Sequence, residues 1–296
     1  MIRTNEDKLV TISVQGEVLS ALAHMPPYRS THDGKVVVLP SVGGITYNLK
    51  VGDRAAGWQA DHVEPCVTTK NLNANTSMNA AYNIFSCAGN EATVISGDAK
   101  GAKGAVTGKH GGAEHVIMDF GDKALEKMQI GDKIGIKAVG VGLELPDYPT
   151  IKVMNISPVL LKKIGLKEDR KSGVLGIPVT HKIPAAIMGS GLGSSDCHTG
   201  DYDIQLFDKE MVRKHGLQTL RFGDFVAIMD ADHSYGRIYM SGAVSVGVVV
   251  HSDCVISGHG PGVMTLFTSS NGRIRLIIDS KANIGYYLKI GRFRGK

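Results

Sequence analysis

Cysteine is scarce in this chain and is scattered along it. The four cysteines are Cys66, Cys87, Cys197 and Cys254, and no two of them form a Cys-x-x-Cys pair. That pattern excludes a disulfide scaffold. A chain of this length with isolated cysteines is typical of a reducing compartment, so we expect a cytoplasmic protein.

Long hydrophobic runs are also missing. The longest apolar stretch, 243–250, includes glycine and serine and is far too short to span a bilayer. The first ten residues, MIRTNEDKLV, lack the apolar core of a signal peptide. The sequence therefore predicts a protein that has no membrane partner.

Aromatic residues make up only 6% of the chain, and the net charge is a mild +5, which permits weak nucleic-acid binding but does not indicate it. Hydrophobic residues account for 43% and charged residues for 21%, a globular composition. The 37 glycines lie between short apolar runs. This combination predicts a mainly β protein, sandwich-like or barrel-like, with tight turns and few short helices.

Short β-branched runs bounded by Gly, Asp or Asn predict the strands. These runs are 35–39, 92–96, 115–120, 134–141, 151–156, 225–229, 243–250, 263–268 and 274–278. Helices are predicted at 78–87, 159–164 and 209–214. The segment 145–183, with its prolines and charge cluster, is predicted to be a connecting region.

Two phrases recur in the same order. Residues 52–62 read GDRAAGWQADH and residues 223–233 read GDFVAIMDADH; VISGDAKG at 94–101 is followed later by VISGHGPG at 255–262. The shared order predicts an internal duplication, with an N-terminal β-rich half (1–150) and a C-terminal β-rich half (151–296). Chance recurrence of common β-rich fragments is the alternative.

The second phrase ends in a group of polar residues, Asp230, Asp232 and His233. Two carboxylates at i and i+2 can hold a hard cation or a water, and a histidine adds a nitrogen ligand suited to zinc. On a regular strand an aspartate and the next histidine face opposite sides, so both reach one ion only at a strand end or a bulge. The alternative is a strand end whose acids cap a turn.

His198 and Asp203 lie in the segment GSGLGSSDCHTGDYDIQ, which is rich in glycine and serine and then in acids. Such a segment can approach a ligand through its backbone, although an ordinary surface loop has the same composition. Asp61 and His62 end the first phrase. They are candidates to mirror the C-terminal site or to face the same cleft from the other half.

Other residues of types that bind metals lie close in sequence to these phrases. His251 and His259 flank the second VISG phrase, and Glu64 follows the first GD phrase. Each can join a site or serve as an ordinary turn residue.

The segment 200–250 resembles the acetamidase/formamidase family. Gly200-Asp-Tyr-Asp203 corresponds to the family's Gly-Gly-Asn-x-Asp stretch, 222–229 to its GD strand, and Asp230-Ala-Asp232-His233-Ser-Tyr-Gly236 to its Asp-x-His-x-x-x-Gly. Without gaps, Asp232 falls on the family's histidine, and His233 lies one position later. The resemblance implies a β-sandwich-type fold, a divalent metal in some members and hydrolysis of small amides. The whole chain also resembles a bacterial and archaeal family of unknown function with two β-rich parts.

The sequence thus predicts a metal-dependent hydrolase of a small amide or related C–N bond. Zinc or calcium would polarise the carbonyl and lower the pKa of a bound water. The expected ligands are Asp232, His233, Asp203 and His198, and Asp230 is the expected general base. We also expect a small-molecule ligand and a homo-oligomer.

Two other functions stay open. One is a non-catalytic protein that binds a small ligand or a metal on the same fold. The other is an RNA-binding β-barrel protein whose basic turn is 97–106. The second is disfavoured, because aromatic stacking partners are missing near that turn and the related phrase at 255–262 has no lysine. We therefore expect no nucleic-acid partner.

Overall fold

The computed structural model describes residues 2–23, 25–189 and 196–295. The strands are β1 (Ile12–Val18), β2 (Arg29–Ser30), β3 (Val36–Val37), β4 (Ile45–Thr46), β5 (Cys66–Lys70), β6 (Glu91–Val94), β7 (Lys103–His110), β8 (His115–Asp119), β9 (Lys133–Ala138), β10 (Lys152–Val153), β11 (Lys167–Asp169), β12 (Val174–Val179), β13 (His181–Ile183), β14 (Tyr202–Asp203), β15 (Phe225–Asp232), β16 (Ile238–Val249), β17 (Gly262–Ser269) and β18 (Ile274–Ile278). The α-helices are α1 (Thr76–Phe85), α2 (Asp122–Leu125), α3 (Pro158–Leu161), α4 (Lys209–Lys214) and α5 (Ile284–Leu288). Strands dominate and the helices are few and short, so the prediction of a mainly β protein is confirmed.

The N-terminal half contains a closed barrel. Its strands follow the order β1-β9-β6-β7-β8-β5, and β5 pairs with β1 to close the ring, while β4 extends β5. In β9, alternate residues Ile134, Ile136 and Ala138 are buried, as a two-residue side-chain period requires. Each such isoleucine contributes roughly 1.5–3 kcal/mol through burial, and closure leaves few strand edges unpaired.

The C-terminal half contains two sheets. The larger has the order β10-β17-β16-β15-β13, with β14 paired to β17; the smaller has the order β11-β12-β18. The last seven residues of β16 and all of β17 are buried. No helix in the described part of the chain is long and apolar enough to cross a membrane.

The two halves share their hydrophobic core. One core cluster joins Val51 and Ile117 of the N-terminal half to Phe225, Val250 and Met264 of the C-terminal half. Backbone hydrogen bonds also cross the junction: Ala55 N donates to Leu220 O at 2.9 Å, and Ser252 N donates to Val63 O at 3.0 Å. The segment 52–63 therefore packs directly against the C-terminal half.

The two GD phrases are not equivalent strands. Residues 223–232 contain β15, as predicted, whereas 52–62 form turns and bends with one isolated bridge from Arg54 to Arg221. The other shared segments also differ, because β8 pairs with β7 and β5 in the barrel, whereas β18 runs parallel to β12. The prediction that both phrases are strands is wrong for the first. The proposed duplication therefore has no equivalent pair of strands to support it.

A shared turn explains why the Gly-Asp pair recurs. In Lys50–Asp53, Gln129–Asp132 and Arg221–Asp224, the last N–H donates to the first carbonyl at 3.0–3.1 Å, and the Asp carboxylate accepts the first N–H at 2.8–3.0 Å. The glycines before these aspartates have φ of 97°, 88° and 82°. A turn with positive φ at its third position selects glycine. The recurrence thus reflects turn chemistry.

The segment 145–183 is not a simple connection. It contributes β10, α3, β11, β12 and β13, and its buried side chains join the central core. Pro158 lies in the first turn of α3, where proline is tolerated, and Pro178 lies inside β12. The prediction of a connecting region is therefore wrong, because the segment supplies strands, a helix and core residues despite its prolines.

Replacement of Gly131 tests the turn explanation. Its added Cβ would have no neighbour within 4 Å, so only its φ of 88° opposes a side chain. We expect Gly131→Ala to lower the free energy of unfolding by about 1 kcal/mol. Gly131→Asn should lose less, because asparagine tolerates positive φ. Urea unfolding measures both; equal losses for Ala and Asn would contradict the explanation.

Candidate functional site

Histidines and carboxylates from both halves converge where segment 52–63 and the β7–β8 hairpin meet the C-terminal sheet. We call this group the junction cluster. Its histidines are His62, His110, His115, His251 and His259, and its acids are Asp61, Glu64, Asp201 and Asp203. The four acids are between 1% and 3% exposed. Buried ionised groups require partners, so this concentration of acids demands compensation.

Local structure positions the N-terminal members. His110 ends β7 and His115 begins β8, so the intervening hairpin loop brings both rings to Glu64. His62 adopts a left-handed backbone with φ 61°. That conformation is uncommon for a residue other than glycine and costs on the order of 1–3 kcal/mol.

Strand alternation positions the C-terminal members. Asp201 and Asp203 are two residues apart on the segment that forms β14, so their side chains share one face. β14 pairs with β17, which places Asp203 opposite Gly262. His251 follows the end of β16 and turns toward the same face, where it contacts both aspartates.

Three donor atoms lie close together on the more exposed side of the cluster. His62 Nε2 is 3.2 Å from His259 Nδ1 and 3.7 Å from Asp203 Oδ2, and His259 Nδ1 is 3.1 Å from the same Asp203 oxygen. The His259 side chain is 36% exposed. We call this group the outer triad.

A second group lies deeper. His251 Nε2 is 2.7 Å from Asp201 Oδ2 and 3.6 Å from Asp203 Oδ1. A ring nitrogen of His110 lies within 4.8 Å of the ligand atoms of Asp201 and His251, and the two imidazole rings stack at 4.1 Å. We call His110, Asp201 and His251 the inner triad. Asp203 directs one oxygen toward each triad.

Outer-shell partners orient the rings. His62 Nδ1 is 3.0 Å from Asp61 Oδ1, which also accepts from Cys254 Sγ at 2.7 Å. His110 Nδ1 is 2.7 Å from Glu64 Oε1, and Glu64 also accepts from Thr68 Oγ1 and the Gly43 N–H. A carboxylate at one ring nitrogen fixes the tautomer and leaves the other nitrogen free to bind a metal.

The pKa values of the acids follow these contacts. Burial acts to raise the pKa of Asp203, but hydrogen bonds from His251, His259 and His62 hold it well below its usual value. Burial opposes ionisation of Glu64 in the same way, and hydrogen bonds from His110 and His115 lower its pKa strongly. Both carboxylates are therefore ionised.

The histidines respond in opposite directions. Burial acts to lower the pKa of His251, but the charge of Asp201 and hydrogen bonds to Asp201 and Asp203 raise it well above its usual value. For His110, burial and the charge of His251 together lower the pKa. A neutral His110 keeps a lone pair available for a cation.

The structure brings together some of the residues predicted from sequence. His62 of the N-terminal half lies 3.7 Å from Asp203 of the C-terminal half, and Asp61 contacts His62. The remaining predicted residues make other contacts: Asp230 accepts the Gly242 N–H at 2.8 Å, Asp232 accepts the Ser234 N–H and Oγ, and His233 Nδ1 contacts Thr265 Oγ1. His198 is exposed and contacts Lys109 through its backbone carbonyl.

The predicted convergence of Asp203, Asp230, Asp232 and His198 on one pocket is thus wrong. Within the described residues, no group of possible metal ligands contains Asp230, Asp232, His233 or His198. A β-bulge between Met229 and Ala231, with Asp230 at φ 52°, turns the Asp230 carboxylate to the backbone of β16. Residues 190–195 of the glycine-rich segment lie outside the described residues.

Sequence reasoning did not assign His110, His115 and Asp201 to a site. The signal that could have found the histidines is their spacing around Gly111-Gly112, which is typical of a hairpin that returns both ends to one place. Asp201 could have been found by its i, i+2 relation to Asp203.

Known proteins resemble this chain along most of its length. A family model described as "Domain of unknown function (DUF4438), N-terminal" matches residues 28–162, and its C-terminal counterpart matches residues 163–288. The solved structure titled "Crystal structure of TM1086" is 49% identical over 97% of this chain and 99% of that chain, with a TM-score of 0.91. No curated protein matches.

His233 provides a pH test of its buried position. Burial, and then the charge of Arg237, lowers its pKa to about 3, so it stays neutral while the unfolded chain takes up a proton below about 6.5. Stability is therefore lost as the pH falls from about 6.5 toward 3, by roughly 1.4 kcal/mol per pH unit. We expect the urea-unfolding free energy of His233→Gln to fall less steeply between pH 7 and pH 4 than that of the unmodified chain.

The control for this measurement is His215→Gln, at the C-terminal end of α4. It should keep the steep dependence. Parallel pH profiles for His233→Gln and the unmodified chain would contradict the assignment of a neutral, buried His233.

Proposed function

The chain belongs to the DUF4438 family, and we propose that it is a metal-dependent hydrolase whose metal ion binds the outer triad. The observation that supports this is the spacing of the three donor atoms, at 3.1, 3.2 and 3.7 Å from one another. Ligands about 2.05 Å from a tetrahedral zinc ion lie roughly 3.3 Å apart. His62, His259 and Asp203 therefore match a zinc site before any side chain moves.

The donor set also favours zinc over calcium. Two imidazole nitrogens and one carboxylate are typical of a catalytic zinc site, where water or substrate takes the fourth position. Calcium takes six to eight oxygen ligands, which the outer triad does not offer. Asp61 is suited to hold the His62 ring so that Nε2 points to the metal.

A groove that is lined by neighbours of the outer triad, although by none of its three residues, gives room for a substrate close to the proposed metal. It has a volume of about 490 Å³ and is lined in part by His32, Phe207, Cys254 and Gly260. Two of these residues contact acids of the cluster: Cys254 donates to Asp61, and the Gly260 N–H donates to Asp203 Oδ2 at 3.3 Å. A groove of this size suits a small molecule.

The proposed chemistry follows from the metal's position. A bound zinc ion lowers the pKa of a coordinated water and polarises a substrate carbonyl. A small amide is the substrate class implied by the acetamidase-like resemblance. Of that resemblance, the Gly200–Asp203 stretch supplies acids to the cluster, whereas Asp230, Asp232 and His233 do not. The amide therefore has weaker support than the metal.

The alternative is a non-catalytic protein that binds metal or a small ligand at the same place. The 36% exposure of the His259 side chain favours catalysis, because a purely structural zinc site is closed by four protein ligands. An RNA-binding role has less support: Lys103 pairs with Glu91 at 2.6 Å, and the basic segment 97–106 is part of the connection between β6 and β7 and the start of β7.

A cytoplasmic location and self-association are two further parts of the proposal. The four cysteines are free and buried, which agrees with a cytoplasmic protein. Self-association into a homo-oligomer is to be tested by light scattering coupled to size-exclusion chromatography.

Metal content is the direct test. We expect the purified chain to contain zinc by mass spectrometry, and His259→Ala to weaken zinc binding by more than the roughly 10–100-fold that loss of an outer-shell partner costs. Asp61→Asn should fall within that 10–100-fold range, and the control His215→Ala should bind as the unmodified chain does. Equal zinc affinity in His259→Ala and the control would refute the site.

Hydrolysis is measured separately as ammonia release from formamide, acetamide and related small amides. We expect turnover that chelation abolishes and zinc restores. Zinc binding without hydrolysis of any of these compounds would favour the non-catalytic alternative.

A further inference from the structure

We infer that the inner triad binds a second divalent cation, and that Asp203 bridges it to the first. This inference rests on the proposed function, because it takes the outer triad as one of two metal positions. The resulting dinuclear centre would comprise His62, His259 and Asp203 on one side and His110, His251, Asp201 and Asp203 on the other.

The contacts of the His251 ring indicate that a proton or a cation lies beside it. His251 Nδ1 lies 2.9 Å from the backbone carbonyl of Ser252, which can only accept, so Nδ1 bears a hydrogen. In the neutral ring, Nε2 then has no hydrogen and carries a lone pair. Yet Nε2 faces Asp201 Oδ2 at 2.7 Å and Asp203 Oδ1 at 3.6 Å. A lone pair directed at two carboxylates is unfavourable unless a proton, on the ring or on Asp201, or a metal ion lies between them.

The position of His110 favours a metal ion over a proton. Its Nδ1 is 2.7 Å from Glu64 Oε1, so Glu64 accepts the Nδ1 hydrogen and Nε2 is left as a lone pair. Its ring stacks on His251 at 4.1 Å. A proton on His251 engages only the two aspartates, whereas a cation would bind a ring nitrogen of each histidine and an Asp201 oxygen, which lie within 4.8 Å of one another. The metal therefore accounts for more of the geometry than a proton does.

The charge balance of the cluster also favours bound cations. The four cluster acids are almost completely buried, and Arg29 forms an ion pair with Asp61 at 3.6 Å. The other ion-pair partners of these acids are histidines. Buried carboxylates without compensation are strongly destabilising. Two divalent cations would neutralise all four acids without any histidine being protonated.

The backbone beside the inner triad is compatible with this arrangement. A Cβ at position 262 would lie 1.8 Å from Asp201 Oδ2 and 2.2 Å from His251 Nε2, so only glycine fits there. Asp201 keeps its second oxygen engaged by the Gly111 N–H at 2.6 Å, which fixes the direction of the first. Asp203 offers one oxygen to each triad, as a bridging carboxylate does in two-metal sites about 3.5–4 Å across.

Stoichiometry and spin coupling test the inference on the full chain. The metal-free protein is loaded with Mn²⁺, and bound metal is counted by mass spectrometry while electron paramagnetic resonance reports coupling. We expect two Mn²⁺ per chain with the broadened signal of a coupled pair. Asp201→Asn, which retains an oxygen for the Gly111 N–H, should bind one ion with an isolated six-line signal. Asp232→Asn, a buried acid outside the cluster, is the matched control and should still bind two.

Three outcomes distinguish the possibilities. One ion per chain in both the unmodified protein and Asp201→Asn would overturn the second site and identify His251 as a histidinium, leaving the proposed function intact. Two ions without spin coupling would overturn the bridge through Asp203. No bound metal in the unmodified chain would refute the proposed function, and the second site with it. The third result is readable even without any variant.

Discussion

Four buried carboxylates at the junction of the two halves impose the main constraint on this molecule. Asp61, Glu64, Asp201 and Asp203 are removed from water, and each finds its partners partly or wholly among histidines. The chain cannot satisfy these acids from one half alone, because His62 reaches Asp203 and the Gly111 N–H reaches Asp201. This arrangement requires segment 52–63 to pack against the C-terminal half. It also depends on the shared core and on the strained backbone of His62.

The sequence predicted about half of the strands and one helix with its exact bounds. All nine predicted strand segments contain strand residues, and the helix predicted at 209–214 is α4 with the same bounds. These elements follow from side-chain period and bounding turn residues, which are short-range properties. The longer strands β1, β5, β7 and β12 were not predicted, and neither were the two-residue strands β4 and β14, which have too few positions to show a period. The closed barrel depends on the pairing of β1 with β5, which no short window contains.

The site was harder to predict for a related reason. The outer triad joins residues 62, 203 and 259, and only the fold brings them together. The sequence made Asp230, Asp232 and His233 conspicuous because they are adjacent, yet adjacency on a strand usually sends side chains to opposite faces. The bulge at Asp230 did break that alternation, but it directed the carboxylate to a backbone amide. Asp203 was found because its neighbours are glycine-rich and acidic, whereas His110 lacks any local sign except its hairpin.

The residues of the junction cluster come from both halves, and this limits how the two halves can move relative to each other. A hinge opening at the junction would carry His62 and His110 away from Asp203 and His251, so it would dismantle the cluster and expose the shared core to water. A catalytic cycle built on this cluster would have to run with the halves closed. Reactants would then enter and leave sideways, through the groove at His32 and Phe207, and the rearrangements that admit them would be rotations of side chains.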